Sequence, residues 1–195
     1  MAKIEGLVPF LIKWECGIEQ KRDEPLEALF QRAKNSKYGF VNDPDDRGGA
    51  TVIGVTFGTF TTYCKKNMIK ADPTVEDLKN IDFETWLTIL SKEYWDRWKA
   101  DLIFNQSVAN ILVDWVWGSG VNGIKIPQKL LGVTADGIVG PKTIEALNKF
   151  NPEVIFDEIV VARIEFYYSI VERTPSQKKF LNGWINRTKD HKFVP

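Results

Sequence analysis

A mainly α fold with one small β-hairpin beside a cleft is what this chain predicts, and three observations lead there. Apolar residues return every three or four positions in segment after segment, the spacing of a helix face packed on a core. One stretch, Gly39 to Thr56, instead alternates turn-forming with β-branched residues. The 195 residues, 44% of them hydrophobic, suffice for one sizeable core.

The elements follow in order. Ile4, Leu7, Val8, Leu11, Trp14 and Ile18 share one face of a first helix. Glu15 lies one turn beyond Leu11 and two beyond Val8, so its carboxylate is expected on the edge of the buried face. Glu24-Pro25 opens a second repeat through Leu26, Leu29, Phe30 and Ala33, which predicts an added helix within 22–36. The hairpin comes next. Helical repeats then run through Phe57, Phe60, Thr61 and Cys64; Phe83, Trp86, Leu87, Leu90 and Tyr94; Val108, Ile111, Leu112 and Trp115; and residues 154–171 and 177–188. Asp136-Gly137 reads as a turn before a helix with Pro141 at its first position and Ile144 and Leu147 turned inward. Those structural needs account for nearly every residue of 136–143 without a ligand.

Composition excludes several classes. Lys plus Arg number 26 and Asp plus Glu 26, so zero net charge gives no general attraction to nucleic acid or an anionic membrane. Near the end, Lys178, Lys179, Arg187, Lys189 and Lys192 stand against Asp190 alone and read as a solvated basic helix face. Met1 to Trp14 lacks the charge and apolar pattern of a secretory signal, and no apolar run approaches the ~20 residues of a membrane span. The expectation is a monomer made in the cytoplasm, acting on an external substrate after release or export. Cys16, Cys64 and one His make neither a disulfide framework nor a metal site, so no cofactor or metal is expected. Gly118-Ser119-Gly120-Val121-Asn122-Gly123 fits a dinucleotide-binding pattern, but a helix precedes it and Pro127 is expected to interrupt the helix that should follow.

The chemistry concentrates around Glu15 and Asp43-Pro44-Asp45-Asp46-Arg47-Gly48-Gly49-Ala50-Thr51. Glycoside hydrolysis needs one protonated and one ionised carboxyl. Glu15, among Leu11, Trp14 and Ile18, would be raised in pKa by desolvation and serve as the general acid. Asp46, on a polar glycine-rich turn, would stay ionised and orient water or offset oxocarbenium charge. It could equally cap the turn, with Asp43 and Asp45 as competitors. Thr51 offers a hydroxyl for the same water. Trp95, Trp98, Trp115 and Trp117 are candidates for covering sugar faces, Trp95 and Trp117 foremost, with Asn122 as a further substrate contact.

These residues also carry a resemblance. Glu15-Cys16-Gly17, Phe40 through Thr51, Gly54-Val55-Thr56, Tyr94-Trp95-Asp96, Leu131-Gly132-Val133, Asp136 through Thr143, Phe180-Leu181 and Gly183-Trp184 resemble, in order, the glycoside hydrolase family 108 lysozymes. The family departs from this chain in lacking the insertion Ile18 to Gly39, in a Gly at the place of Cys16, and in an Asn at the place of Gly118. The resemblance implies a lysozyme-like fold, with a muramidase half at 1–100 and a peptidoglycan-binding half at 101–195 packed as one body. It implies cleavage of the β-1,4 bond between N-acetylmuramic acid and N-acetylglucosamine in bacterial peptidoglycan, with inversion as in phage lysozymes. The alternatives are a lytic transglycosylase, which needs the Glu but no second carboxylate, and a catalytically silent wall-binding or secretion-associated protein.

Overall fold

The computed structural model describes residues 1–42 and 49–195. They form two units, Leu7–Glu93 and a second made of Met1–Gly6 with Tyr94–Pro195.

In Leu7–Glu93 the expected first helix is shorter than its apolar repeat. Ile4–Gly6 form a 3-10 turn, and α1 runs only from Val8 to Cys16. Gly17 stops it by taking φ 68°, the left-handed conformation glycine adopts without steric cost, and its N–H bonds Lys13 O at 2.8 Å. The inserted helix is α2 (Leu26–Lys34), with Pro25 as its extended N-cap. The expected single hairpin is a three-stranded antiparallel meander, β1 (Phe40–Val41), β2 (Thr51–Val52) and β3 (Val55–Thr56), with Phe40 opposite Val52 and Val52 opposite Val55. Ile53 and Gly54 join β2 to β3 with φ of 42° and 75°, the two positive values of the tightest hairpin turn. A β-branched residue resists that conformation. Ile53 is held in it from both sides, its N–H on Gly39 O at 3.1 Å and its carbonyl receiving the Trp86 indole N–H at 3.0 Å. Three helices complete the unit: α3 (Phe57–Lys66), capped by Thr56; α4 (Val75–Lys79), with a Thr74–Asp77 capping box; and α5 (Phe83–Leu90), capped by Asp82. Phe30 of α2 packs on Phe83 and Trp86 of α5, ring centroids 5.6 Å apart in each pair.

The second unit takes up the chain within a π turn at Ser91–Trp95 and begins with the short α6 (Asp96–Trp98). It contains α7 (Gln106–Ser119), α8 (Asn122–Leu130), α9 (Pro141–Lys149), α10 (Pro152–Arg173) and α11 (Lys178–Asp190). Met1–Gly6 joins this unit because Gln106 bonds both the N–H and the carbonyl of Lys3, at 2.8 and 2.9 Å, and Asn110 bonds Gly6 O. A Cβ on Gly123 would come within 2.6 Å of the Trp115–Val116 backbone, so glycine is what lets α8 lie against α7. Pro127 does not interrupt α8, contrary to expectation. Its missing N–H leaves the carbonyl of Gly123 without the usual helical donor, and the Trp98 indole N–H takes that place at 3.1 Å.

Arg187 is not part of a solvated basic face. It reaches the fully buried Asp114 of α7 through NH2 at 2.7 Å and Nε at 3.1 Å. Arg163 NH2 lies 2.8 Å from the same carboxylate as a charge contact rather than an aligned hydrogen bond, and His191 Nε2 lies 3.1 Å from it. Burial pushes the Asp114 carboxyl upward, but Arg187 and Arg163 overcome this and hold it well below the usual carboxylate range.

Candidate functional site

Glu15 occupies the last turn of α1. It is half-buried, one turn after Leu11 and Ile12, which are fully buried. Its neighbour Cys16 is buried, and the Cys16 thiol donates to Tyr38 O at 3.7 Å. Burial, followed by the charge of Glu15, pushes that thiol up to about 12, so it stays protonated and is no nucleophile at neutral pH. The contact has a topological consequence. It ties the two ends of the insertion together, so that β1 starts beside the helix end that carries Glu15.

The insertion is closed by its own bonds. Arg32 grips Glu24 with Nε and NH2 at 2.9 and 2.8 Å, and NH2 also donates to Glu19 O. Hydrogen bonds from Arg32 and from the Lys21 N–H hold the Glu24 carboxyl down to about 2. The chain then turns back so tightly that a Cβ on Gly39 would lie 2.2 Å from Lys34 O, which makes glycine obligatory there.

Asp46 and its competitors Asp43 and Asp45 lie outside the described residues. Described again from Gly49, the chain places Thr51 on β2, half-buried, its hydroxyl donating to Gly49 O at 3.1 Å.

The aromatic candidates divide sharply by burial. Trp95 is 1% exposed, with its indole N–H on Asp101 at 2.8 Å, so it has no face to offer a sugar and its expected substrate contact is withdrawn. Trp98 and Trp115 are fully buried as well. Trp117 is half-buried and pairs with half-buried Tyr94, ring centroids 4.5 Å apart. Tyr94 belongs to a helical repeat and to the Tyr94-Trp95-Asp96 block, and neither announces its pairing with Trp117, which crosses 23 positions. Asn122 is exposed at the first position of α8. Among the described candidates, Glu15 and Thr51 therefore belong to one unit, and Trp117 and Asn122 to the other.

Residues 136–143 form the expected turn and helix start. Gln128, itself buried, receives the Gly137 N–H at 2.9 Å and donates to Asp136 Oδ1 and Ile138 O at 3.0 and 3.1 Å. Asp136 also accepts the Ile138 N–H, and Ile144 and Leu147 are buried. Gln128, Asp136, Ile138 and Thr143 are among the residues lining a pocket of about 420 Å³, where Gln128 donates to Asp136 and, at 3.5 Å, to the Thr143 hydroxyl.

Comparison with known proteins finds two family models in succession. The one described as glycosyl hydrolase 108 matches residues 34–120, and the one described as predicted peptidoglycan domain matches residues 122–189. Residues 34–120 are thus similar to glycosyl hydrolase 108 and residues 122–189 to the peptidoglycan domain, in the order that the sequence resemblance implies. Among solved structures, Brucella abortus SagA is similar over 77% of this chain and 82% of that one, with 27% identity and a TM-score of 0.65. No curated protein matches. The fold is thus the mainly α lysozyme-like one, and the two matches support a glycoside hydrolase with peptidoglycan as its partner. Glu15 precedes the family 108 match and is separated from it by α2.

Proposed function

We propose that this protein is an N-acetylmuramidase that hydrolyses the β-1,4 bond between N-acetylmuramic acid and N-acetylglucosamine. Glu15 gives its proton to the leaving glycosidic oxygen as the bond to the anomeric carbon breaks. A water attacks that carbon from the opposite face and passes its proton to Asp46, which inverts the anomeric centre. Thr51 holds the water through a lone pair, because its own proton is directed to Gly49 O. The observation that carries this reading is the Cys16–Tyr38 contact, which keeps the strand entering the acidic segment at the helix end bearing Glu15 despite the insertion. In this reading the protein works as a monomer on the wall after release or export.

Mass spectrometry of purified sacculi digested by the protein tests the proposal. Muropeptides with reducing N-acetylmuramic acid ends are expected. Anhydro ends would make it a transglycosylase, reducing N-acetylglucosamine ends would move the cleaved bond, and intact sacculi would leave only a binding role.

A further inference from the structure

The turn that leads from α2 into β1 is firmly held, yet it presents an exposed aromatic ring. The Gly39 N–H bonds Ser36 O at 3.2 Å, which closes a turn with Lys37 and Tyr38 at its corners. The Cys16 thiol on Tyr38 O, the Ile53 N–H on Gly39 O at 3.1 Å and the close approach of Gly39 to Lys34 O fix that turn further. All of these restraints act through the backbone of Tyr38 and Gly39. Tyr38 stays 54% exposed, although Lys37 Nζ lies 5.2 Å from the centre of its ring. A single exposed ring needs no explanation on most surfaces, but this one is set apart by its place. Cys16 directly follows Glu15, so the turn stands at the end of α1 that carries the acid. Lys37 and Tyr38 belong to the insertion Ile18 to Gly39, to which the family resemblance assigns no role.

We infer that Tyr38 and Lys37 form a substrate subsite beside Glu15 that selects glycan bearing free peptide-stem carboxylates. The inference rests on the muramidase reading above and adds a substrate preference to it. A tyrosine ring covers the C–H face of a pyranose at little entropic cost, because only two torsions are ordered. Lys37 is exposed, and its flexible stem lets the ammonium turn from the ring to a carboxylate of a bound stem peptide. A neutral glycan offers the ring a face and the lysine nothing.

The test measures initial rates of solubilisation against sacculus concentration for the full-length parent, Tyr38→Ala, Tyr38→Phe and Lys37→Gln, with the melting temperature of each. Native sacculi are compared with sacculi whose carboxylates have been converted to neutral amides by carbodiimide and ammonia. Because the turn is held by main-chain atoms, all three variants are expected to melt with the parent. Tyr38→Ala should raise the half-saturating concentration roughly five-fold or more on both substrates with little change in maximal rate, as for a binding contact kept in ground and transition states alike. Tyr38→Phe, which keeps the ring, should saturate like the parent. Lys37→Gln should raise the half-saturating concentration about two- to five-fold on native sacculi, the scale of an exposed ion pair, and leave it unchanged on amidated ones. It is the deciding variant if Tyr38→Ala is unstable. Tyr38→Ala saturating like the parent, or Tyr38→Phe failing like Tyr38→Ala, would overturn the role of the ring. A Lys37→Gln defect equal on both substrates, or absent from both, would overturn the preference for carboxylates. A parent that releases no muropeptides from native sacculi would overturn the muramidase reading itself.

Discussion

Asp114 is fully buried against Arg163, Arg187 and His191, whereas Glu15 is half-buried on the last turn of α1 with a fully buried helix face one turn behind it. Both are carboxylates on helices. Their difference shows how environment allots work to the same functional group. Asp114 is held ionised by two guanidinium groups, cannot exchange a proton near neutral pH, and serves to join α7, α10 and α11. Glu15 keeps one side open to solvent.

The largest break in this comparison should come from Asp114→Asn. Removing the anion leaves two arginines facing a buried neutral group, and breaking such a pair costs about 3–5 kcal/mol. Urea denaturation should show that loss. A change below about 1 kcal/mol, the scale of an exposed ion pair, would mean that the cluster does not hold the helices together.

A second effect is read by pH. Burial lowers the His191 pKa from 6.5, against the opposing pull of Asp114, so the folded protein holds this ring neutral. As pH drops below 6.5, the unfolded chain gains a proton that the folded one resists, so stability is full above that value and declines beneath it. Asp114 acts in the same direction only at lower pH, below 3.8. His191→Gln should therefore flatten the fall in urea midpoint between about pH 7 and about pH 5, the range where histidine charges. An unaltered slope would place the titrating group elsewhere.

The smallest effect sharpens the contrast within the second unit. Trp98→Phe strips the Gly123 carbonyl of its donor, and an unsatisfied buried acceptor costs about 1–3 kcal/mol. In a Pro127→Ala background the new backbone N–H can serve that carbonyl, so the same substitution should cost less. Equal costs in both backgrounds would deny that the indole replaces the proline's missing donor.

Pro127 also shows where the sequence is silent. Periodicity located α7, α10 and the inserted α2, because each buries a face whose spacing is local. The partner that lets a proline sit inside α8 is Trp98, 29 positions earlier, and nothing local announces it. The same limit applies to Arg187, whose anion lies 73 positions away and which therefore resembles any surface cation. Trp95 and Trp117 look alike as letters, yet one is sealed beside Asp101 and the other pairs with Tyr94 near the surface. Of the candidate site, the helix edge beneath Glu15 was legible from Val8 and Leu11. The Cys16–Tyr38 tie across the insertion was not, since it joins a thiol to a backbone carbonyl and leaves no pattern in residue type.

The central claim is that Glu15 supplies the proton. It is tested most directly by the initial rate of sacculus solubilisation for Glu15→Gln beside the parent, with the melting temperature of each. The amide keeps the shape and cannot donate, so the rate should fall by ~10²–10⁴ while the melting temperature is unchanged. A folded Glu15→Gln protein within a few-fold of the parent rate would contradict the account and remove Glu15 from the chemistry.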